Sequence, residues 1–265
     1  MYNTFELAAR YFRYYLTAAN GKGHGIHSPF VYRFITEVLN DNRIFYPYNR
    51  IEALRQEMLT SAAVVEVNDF GAGSSGLNGK MRKVKDIAHR SLKSPKYAKL
   101  LFRIANYCQT ENILELGTSL GVTTSYLASA SSHAKVYTLE GAPAIADIAK
   151  ANFKKLGLNN INTVTGNFDD VLAPVLDRMG TVDLAFLDGN HRKAPTLRYI
   201  DLLRAHLHEK SIVILDDIHW SREMEEAWAT ARGDTSVTCS VDLFFIGILF
   251  YNPDFKTKQH FMIRY

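Results

Sequence analysis

The chain has 265 residues, of which 47% are hydrophobic and 22% are charged, and its formal net charge at pH 7 is +4. This composition is typical of a globular protein with one large domain and an extension, and it excludes a disordered or fibrous chain. The longest apolar stretch, residues 243–251, is much shorter than the roughly 20 residues that a membrane helix needs. We therefore expect no membrane partner.

The amino terminus and the cysteines indicate where the protein works. Glu6, Arg10 and Arg13 interrupt the first apolar residues, so this segment lacks the continuous hydrophobic core of a secretory signal. Cys108 and Cys239 are too few and too far apart to form a disulfide framework. Both features predict a reducing compartment, and we expect the protein in the cytoplasm.

Residues 1–90 are predicted to form a helical amino-terminal extension. Aromatic and apolar residues recur at helical spacing from Phe5 to Leu16, in a helix that is predicted to end near residue 20. Its apolar side would pack on the main domain or on a twin subunit, and the second arrangement would give a homodimer. Ser28 is placed to cap a further helix that starts at Pro29.

A glycine-rich segment lies inside this extension, at about residues 64–85. It has the pattern of a strand, an acid (Asp69) and a glycine loop, but basic residues follow where a helix that packs on a sheet should begin. We interpret it as a flap or surface hairpin that can close over a ligand.

Basic residues dominate the overlapping segment 80–103, in which Asp86 is the only acid. The simpler interpretation is a solvated helix face. The alternative is an electropositive rim that attracts a nucleic acid or an acidic small molecule. Because no recognisable RNA-binding module accompanies the segment, a nucleic-acid partner is not our main expectation.

From residue 94 onward, helices and strands alternate, as is typical of a doubly wound α/β sheet. In residues 112–128 an apolar run breaks at Gly117 and Gly121 and then resumes at helical spacing, which predicts a strand, a tight loop and a helix. Open parallel sheets bind nucleotide-like ligands at such loops. The next strand, residues 135–140, ends in Glu140 about 20 residues beyond the loop, where a carboxylate can accept hydrogen bonds from both hydroxyls of a ribose.

The chemistry of this loop argues against a dinucleotide. A dinucleotide-binding loop keeps its middle position bare so that the backbone can reach the pyrophosphate, and here Ser119 occupies that position. Glu115, just ahead of the loop, suits an amine better than a phosphate. A sulfonium nucleoside that carries an amino acid fits both features.

Acidic side chains end two later strands. Strands are predicted over residues 161–165, 182–188 and 211–217, and the last two end in Asp188 and in the pair Asp216-Asp217. Neighbouring parallel strands bring their carboxyl ends together, so three carboxylates would meet and a hard divalent ion such as Mg²⁺ would compensate their charge. The alternative is that these aspartates cap the turns and helices that follow.

In order and spacing, these pieces resemble the class I S-adenosylmethionine-dependent methyltransferases. The resemblance covers residues 91–265 and implies an α/β fold with a mostly parallel, seven-stranded sheet. It also implies a closing antiparallel hairpin, which we place at residues 237–250 and 259–265 with a turn near Pro253. The cofactor would be S-adenosylmethionine, and the residues that the resemblance assigns to it are Glu115, Gly117, Thr118, Ser119, Gly121, Glu140, Asn167, Phe168 and Asp188.

The strand-end aspartates are similar to those of the metal-dependent O-methyltransferases of the catechol and macrolide-sugar type. These enzymes place an aspartate after strand four and an Asp-Asp or Asp-Asn pair after strand five. The resemblance therefore implies Mg²⁺ at Asp188, Asp216 and Asp217, and a small-molecule hydroxyl as the methyl acceptor.

The position of the catalytic base departs from the resembled enzymes. In catechol-type enzymes a lysine stands three residues after the strand-four aspartate, and in this chain that position is His191. An imidazole titrates near neutrality, so we predict that His191 acts as the base beside Asp188, with His219 as the reserve candidate. Asn190 is a second departure, because the sugar-modifying relatives carry an acid there.

Two alternatives of other classes remain open at this point. One is an RNA methyltransferase that uses the basic segment 80–103. The other is a catalytically silent scaffold that keeps the fold and binds the cofactor.

Overall fold

The structure is a computed structural model, and it describes residues 1–67 and 81–265. Its helices are α1 (Thr4–Thr17), α2 (Pro29–Phe34), α3 (Tyr48–Thr60), α4 (Val84–Ser91), α5 (Pro95–Tyr107), α6 (Val122–Ala128), α7 (Pro143–Leu156), α8 (Phe168–Met179), α9 (Lys193–Arg204) and α10 (Arg222–Gly233), with a π-helix over Ile35–Leu39 after α2. Its strands are β1 (Val64–Glu66), β2 (Met81–Lys83), β3 (Asn112–Leu116), β4 (Lys135–Glu140), β5 (Ile161–Thr165), β6 (Leu184–Leu187), β7 (Ile212–Asp216), β8 (Cys239–Asp242), β9 (Ile246–Phe250) and β10 (Gln259–Met262).

The chain divides into two compact units. The first unit combines Met1–Asp41 with Gly180–Tyr265, and the second is Asn42–Met179. Neither boundary falls at residue 90, where we placed the end of the extension, and that domain boundary stays a prediction. Residues 42–91 are part of the second unit because they supply its core, in which Tyr48 and Ile51 pack with Phe102 and Tyr126.

The second unit contains the predicted glycine loop. Strands β3, β4 and β5 pair in parallel in that order, and the bounds of β4 and β5 are the predicted ones. The apolar side chains of β3 are fully buried, as expected for a strand in a parallel sheet. The carboxyl ends of the three strands therefore lie at one edge, at which the loop after β3 and Glu140 are found.

The ends of the predicted flap pair with each other. Strands β1 and β2 are antiparallel, with Val65 opposite Arg82, so the two ends have the geometry of a hairpin. Asp69, Lys80 and the glycines between them lie outside the described residues. The closing of this flap over a ligand stays a prediction.

The first unit contains the later strands, in the order β10-β8-β9-β7-β6. Strands β6 and β7 are parallel, and β9 is antiparallel to both β7 and β8. The predicted closing hairpin is present, but its location was wrong, since both of its strands lie within residues 237–250 and the chain turns at Leu243–Phe245. The final run is a separate strand, β10, which pairs in parallel with β8. With β10, the described residues contain eight strands besides the β1–β2 pair, where seven were predicted.

Helix α1 packs on its own unit by one side only. Asn3 and Glu6 cap its start reciprocally, and Tyr14 is buried against Phe244. It ends at Thr17, three residues earlier than predicted. On the other side, Phe5 is 88% exposed, and Phe12 and Leu16 are each more than half exposed. The homodimer stays a prediction.

Of the helices that the structure describes, none combines the length and the hydrophobicity needed to cross a membrane.

Candidate functional site

The loop between β3 and α6 is a tight turn built from left-handed residues. Gly117 has φ +103°, Ser119 +47° and Gly121 +78°. The backbone N–H groups of Gly117 and Thr118 both donate to the carbonyl of Leu139, at 3.0 and 3.2 Å, so the loop is tied to the end of β4. Such conformations explain two glycines in five residues, because other residues rarely adopt them.

A glycine at position 121 is also required by packing. A methyl group placed on its Cα would lie 2.5 Å from the Phe153 ring and 3.1 Å from the Ala149 side chain. Helix α7, which carries both residues, thus packs directly against the start of α6. The loop has a fixed shape that the surrounding helices define.

We expect a Gly121→Ala variant to lose about 2 kcal/mol of stability, because the left-handed backbone and the Phe153 contact both oppose a side chain. Gly157→Ala is the matched control, since Gly157 is also left-handed, at φ +71°, but has open space around it. The control should lose only the backbone cost, about 1 kcal/mol. Urea unfolding measures both variants, and equal losses would show that the contact with Phe153 has no effect.

Glu140 ends β4 and holds the loop. Its Oε2 accepts a hydrogen bond from the backbone N–H of Ser119 at 2.8 Å, and its Oε1 accepts one from Ala142 at 3.0 Å. Each carboxylate oxygen can accept a second hydrogen bond. The side chain is partly exposed, so the ribose contact that we predict is compatible with this arrangement.

Glu115 lies beneath the loop rather than on its surface. It is fully buried, and its Oε2 accepts hydrogen bonds from the hydroxyls of Thr124 and Thr138. The Thr118 hydroxyl lies 2.6 Å from that of Thr138, so the network reaches the loop itself. Burial raises the pKa of Glu115 to about 7, against the lowering effect of the two threonine hydroxyls; nearby Glu140 raises it further.

The sequence analysis missed three members of this arrangement. Thr138 stands opposite Glu115 in the β3–β4 register, and Thr124 lies on the buried face of α6. Ser91 ends α4, and its hydroxyl lies 2.7 Å from that of Ser119. The sequence did carry a signal for two of them, because Thr138 and Thr124 are polar residues at positions of β4 and α6 where apolar residues are expected.

The turn after β5 contains the residues predicted to border the adenine. Gly166 donates its N–H to the Glu140 carbonyl at 2.9 Å, so this turn lies beside the end of β4. Asn167 Oδ1 accepts from the N–H of Asp169, and Phe168 begins α8. Both side chains are partly exposed. The second unit thus gathers all the predicted cofactor residues except Asp188 at the carboxyl ends of β3, β4 and β5.

Acidic and imidazole side chains meet in the first unit. Asp188 follows β6, Asp216 ends β7, and His191 lies in the turn before α9. One ligand atom from each of the three lies within 4.8 Å of the others, and His191 Nε2 is 3.6 Å from Asp188 Oδ1. Asp216 is fully buried, whereas 30% of the His191 side chain is exposed. Two carboxylates and an imidazole are ligands that a divalent ion accepts, so this donor set fits a metal.

Asp217 and His219 do not belong to this group of three. Asp217 has a left-handed backbone, φ +52°, and its N–H donates to the Phe245 carbonyl at 2.7 Å. His219 Nδ1 lies 3.1 Å from Glu225 and its Nε2 lies 2.9 Å from Asp242. Burial lowers the pKa of His219, but these two carboxylates outweigh it and raise the pKa. Because both ring nitrogens have partners, we assign His219 a structural role.

Comparisons with known proteins agree with this architecture. Residues 114–218 match a family described as a methyltransferase domain. A catechol O-methyltransferase of Niastella koreensis is 30% identical over 128 residues, which cover 47% of this chain and 57% of that protein. One of Mycobacterium tuberculosis is 28% identical over 131 residues, which cover 47% and 56%. The chain thus spans little more than half the length of these curated relatives.

A solved structure extends the likeness to the fold. The O-methyltransferase of Bacillus cereus in complex with SAH superposes with a TM-score of 0.56 at 19% identity, over 83% of this chain and 96% of that one. At this identity the likeness concerns the fold alone. The predicted fold is confirmed: the chain has the Rossmann-like fold of the class I S-adenosylmethionine-dependent methyltransferases, and its residues 114–218 match a family described as a methyltransferase domain.

Proposed function

We propose that the chain is an S-adenosylmethionine-dependent O-methyltransferase that acts on a small-molecule hydroxyl with the help of a divalent metal. The observation that carries this proposal is the convergence of Asp188, His191 and Asp216 in a chain with the methyltransferase fold. The catechol O-methyltransferases among its relatives support the class of acceptor.

The cofactor would be held by the second unit. We expect Glu140 to accept hydrogen bonds from the ribose hydroxyls, the loop from Gly117 to Gly121 to contact the amino-acid end, and Asn167 with Phe168 to border the adenine. We propose that Glu115 acts from below, since its hydrogen bonds to Thr124 and Thr138 support the loop.

The reaction requires little covalent chemistry from the protein. The acceptor hydroxyl gives its proton to solvent, its oxygen forms a bond to the methyl carbon as the carbon–sulfur bond breaks, and the sulfonium leaves as a neutral thioether. The protein has to align the oxygen and to favour its anionic form. A divalent ion, when bound by Asp188 and Asp216, would supply the positive charge that lowers the pKa of the acceptor hydroxyl.

Calorimetric titration with S-adenosylhomocysteine tests the cofactor part of the proposal. We expect micromolar binding, and a loss of about 10- to 100-fold in Glu140→Ala, since that variant removes charged acceptors of hydrogen bonds. Glu57→Gln is the control, because Glu57 is an exposed residue of the same unit that pairs with Lys155. Absence of binding to the wild-type chain would contradict the assignment.

Transfer of a labelled methyl group to a catechol completes the test and separates the alternatives. Cofactor binding without transfer to any acceptor would favour a silent scaffold. Salt-sensitive RNA binding that depends on Lys83 and Lys85 would favour an RNA methyltransferase.

We also propose a reducing compartment, the cytoplasm, for this activity. Cys108 and Cys239 are free thiols, and burial raises the pKa of each to about 12. Both are therefore protonated packing residues rather than nucleophiles.

A further inference from the structure

We propose that His191 is a third ligand of the metal rather than the base, and that the site consequently prefers a first-row transition ion such as Co²⁺ to Mg²⁺. This inference rests on the proposed function, because it concerns the same metal site. It replaces the role that the resemblance suggested for this position, and it concerns which ion the protein selects.

The first argument is the spacing of the donor atoms. Two ligands that bind one ion at neighbouring positions, each with a bond of about 2.1 Å, lie roughly 3 Å apart. His191 Nε2 and Asp188 Oδ1 are 3.6 Å apart, and one ligand atom each of Asp188, His191 and Asp216 lies within 4.8 Å of the other two. The imidazole therefore lies close enough to both carboxylates to share one ion with them. A ring nitrogen that binds the ion has no lone pair left to accept the proton of the acceptor hydroxyl.

The second argument is the turn that carries His191. Asn190 adopts a left-handed conformation, φ +53°, so the chain reverses directly after β6 and returns His191 to Asp188. Asn190 Nδ2 donates to the hydroxyl of buried Tyr199 at 3.2 Å, and Arg192 Nε donates to Asn190 Oδ1 at 3.1 Å. Asparagine adopts this conformation more readily than most other residues, and these two hydrogen bonds hold Asn190 in it. The position of His191 is thus set by the fold.

The third argument is the chemistry of the donor set. Mg²⁺ takes oxygen ligands and keeps several waters, whereas an imidazole suits Fe²⁺, Ni²⁺ and Zn²⁺, and the affinity of such a site rises from Mn²⁺ through Fe²⁺ to Co²⁺. A site of two carboxylates alone would accept Mg²⁺. The addition of an imidazole raises the affinity for transition ions without a comparable gain for Mg²⁺.

The test measures metal binding directly on the full-length protein after chelation and dialysis. Affinities for Co²⁺, Mn²⁺ and Mg²⁺ are determined by calorimetry, and electron spin echo of the Mn²⁺ complex reports a coordinated imidazole nitrogen. We expect the wild type to bind Co²⁺ at least ~10-fold more tightly than Mg²⁺, and to show the nitrogen signal. His191→Ala should lose about 10- to 100-fold in Co²⁺ affinity and lose the signal, with Mg²⁺ affinity changed less than about threefold.

Two variants sharpen the result. His208→Ala is the matched control, because His208 also pairs with an aspartate, Asp183 at 2.8 Å, and has a similar exposed fraction, 34% against 30%. It should bind Co²⁺ as the wild type does. His191→Lys keeps a group that can take a proton but removes the imidazole, so it should behave like His191→Ala in metal binding.

The outcomes distinguish failure of the ligand role of His191 from failure of the proposed function. A nitrogen signal that survives in His191→Ala, or a wild type with equal affinity for Mg²⁺ and Co²⁺, would overturn the ligand role and leave the proposed function intact. If no divalent ion binds the wild type, the metal-assisted reaction and the ligand role both fail. Binding of S-adenosylhomocysteine in that same preparation would still support the methyltransferase assignment.

Discussion

Removal of divalent ions with a chelator is expected to lower methyl transfer to a catechol about a thousandfold, because a cation that favours the anionic oxygen supplies several kcal/mol of stabilisation. The addition of a divalent ion should restore the rate. Asp216→Asn should reproduce the loss without chelator, since it removes the charge of a fully buried carboxylate and keeps its shape. Initial rates with labelled S-adenosylmethionine measure both effects.

The control for this experiment is Asp201→Asn. Asp201 lies in the same unit but has an exposed side chain that pairs with Arg204, and its replacement should leave the rate unchanged. Binding of S-adenosylhomocysteine should be equal in all these proteins. If the chelated wild type keeps its rate while the cofactor still binds, the reaction does not use a metal.

Glu115 gives the largest expected effect on stability. Its pKa is raised to about 7 in the folded protein from an ordinary value of 4.5, mainly through burial, so the folded state holds a proton that the unfolded chain releases. Between pH 4.5 and pH 7, the free energy of unfolding falls as the pH rises. Above pH 7 the folded protein has lost about 3 kcal/mol of stability through this group. A Glu115→Gln variant lacks this titration.

The measurement compares the free energies of unfolding of wild type and Glu115→Gln in urea from pH 4.5 to 8. The free energy of unfolding of Glu115→Gln minus that of the wild type should increase by about 3 kcal/mol from pH 4.5 to pH 8. This increase is expected whatever the difference is at pH 4.5. Other groups titrate equally in both proteins, so the difference isolates Glu115. Glu57→Gln, which changes an exposed carboxyl, should show no such movement. A flat difference for Glu115→Gln would mean that this carboxyl is ionised in the folded protein.

Much of the second unit could be predicted from the sequence, because local patterns determine it. Apolar runs such as residues 112–116 have the length and composition of buried strands, and a glycine is needed wherever the backbone is left-handed and closely packed, as at Gly121. Glu140, the acid that ends β4, can likewise be predicted from its spacing along the chain. These features need no knowledge of distant contacts.

The remaining features depend on pairing across the fold. Strand β10 looks like the second half of a hairpin in the sequence, yet it runs parallel to β8, and nothing local distinguishes these two pairings. Thr138 is linked to Glu115 only through the register of two strands. The orientation of His191 toward Asp188 depends on the left-handed conformation of Asn190, which its residue type permits but does not require.

The first unit is discontinuous in sequence, and this affects the order in which the protein can fold during its synthesis. Tyr14 of α1 donates a hydrogen bond to the Ile263 carbonyl, and Ala19 forms a parallel bridge with Ile263. Residues 42–179 are continuous in sequence, so their contacts with one another can form as soon as they leave the ribosome, whereas α1 has to wait until β10 has been made. The aromatic side of α1 is thus exposed for most of translation, and we expect α1 to be a segment that a chaperone binds during that time.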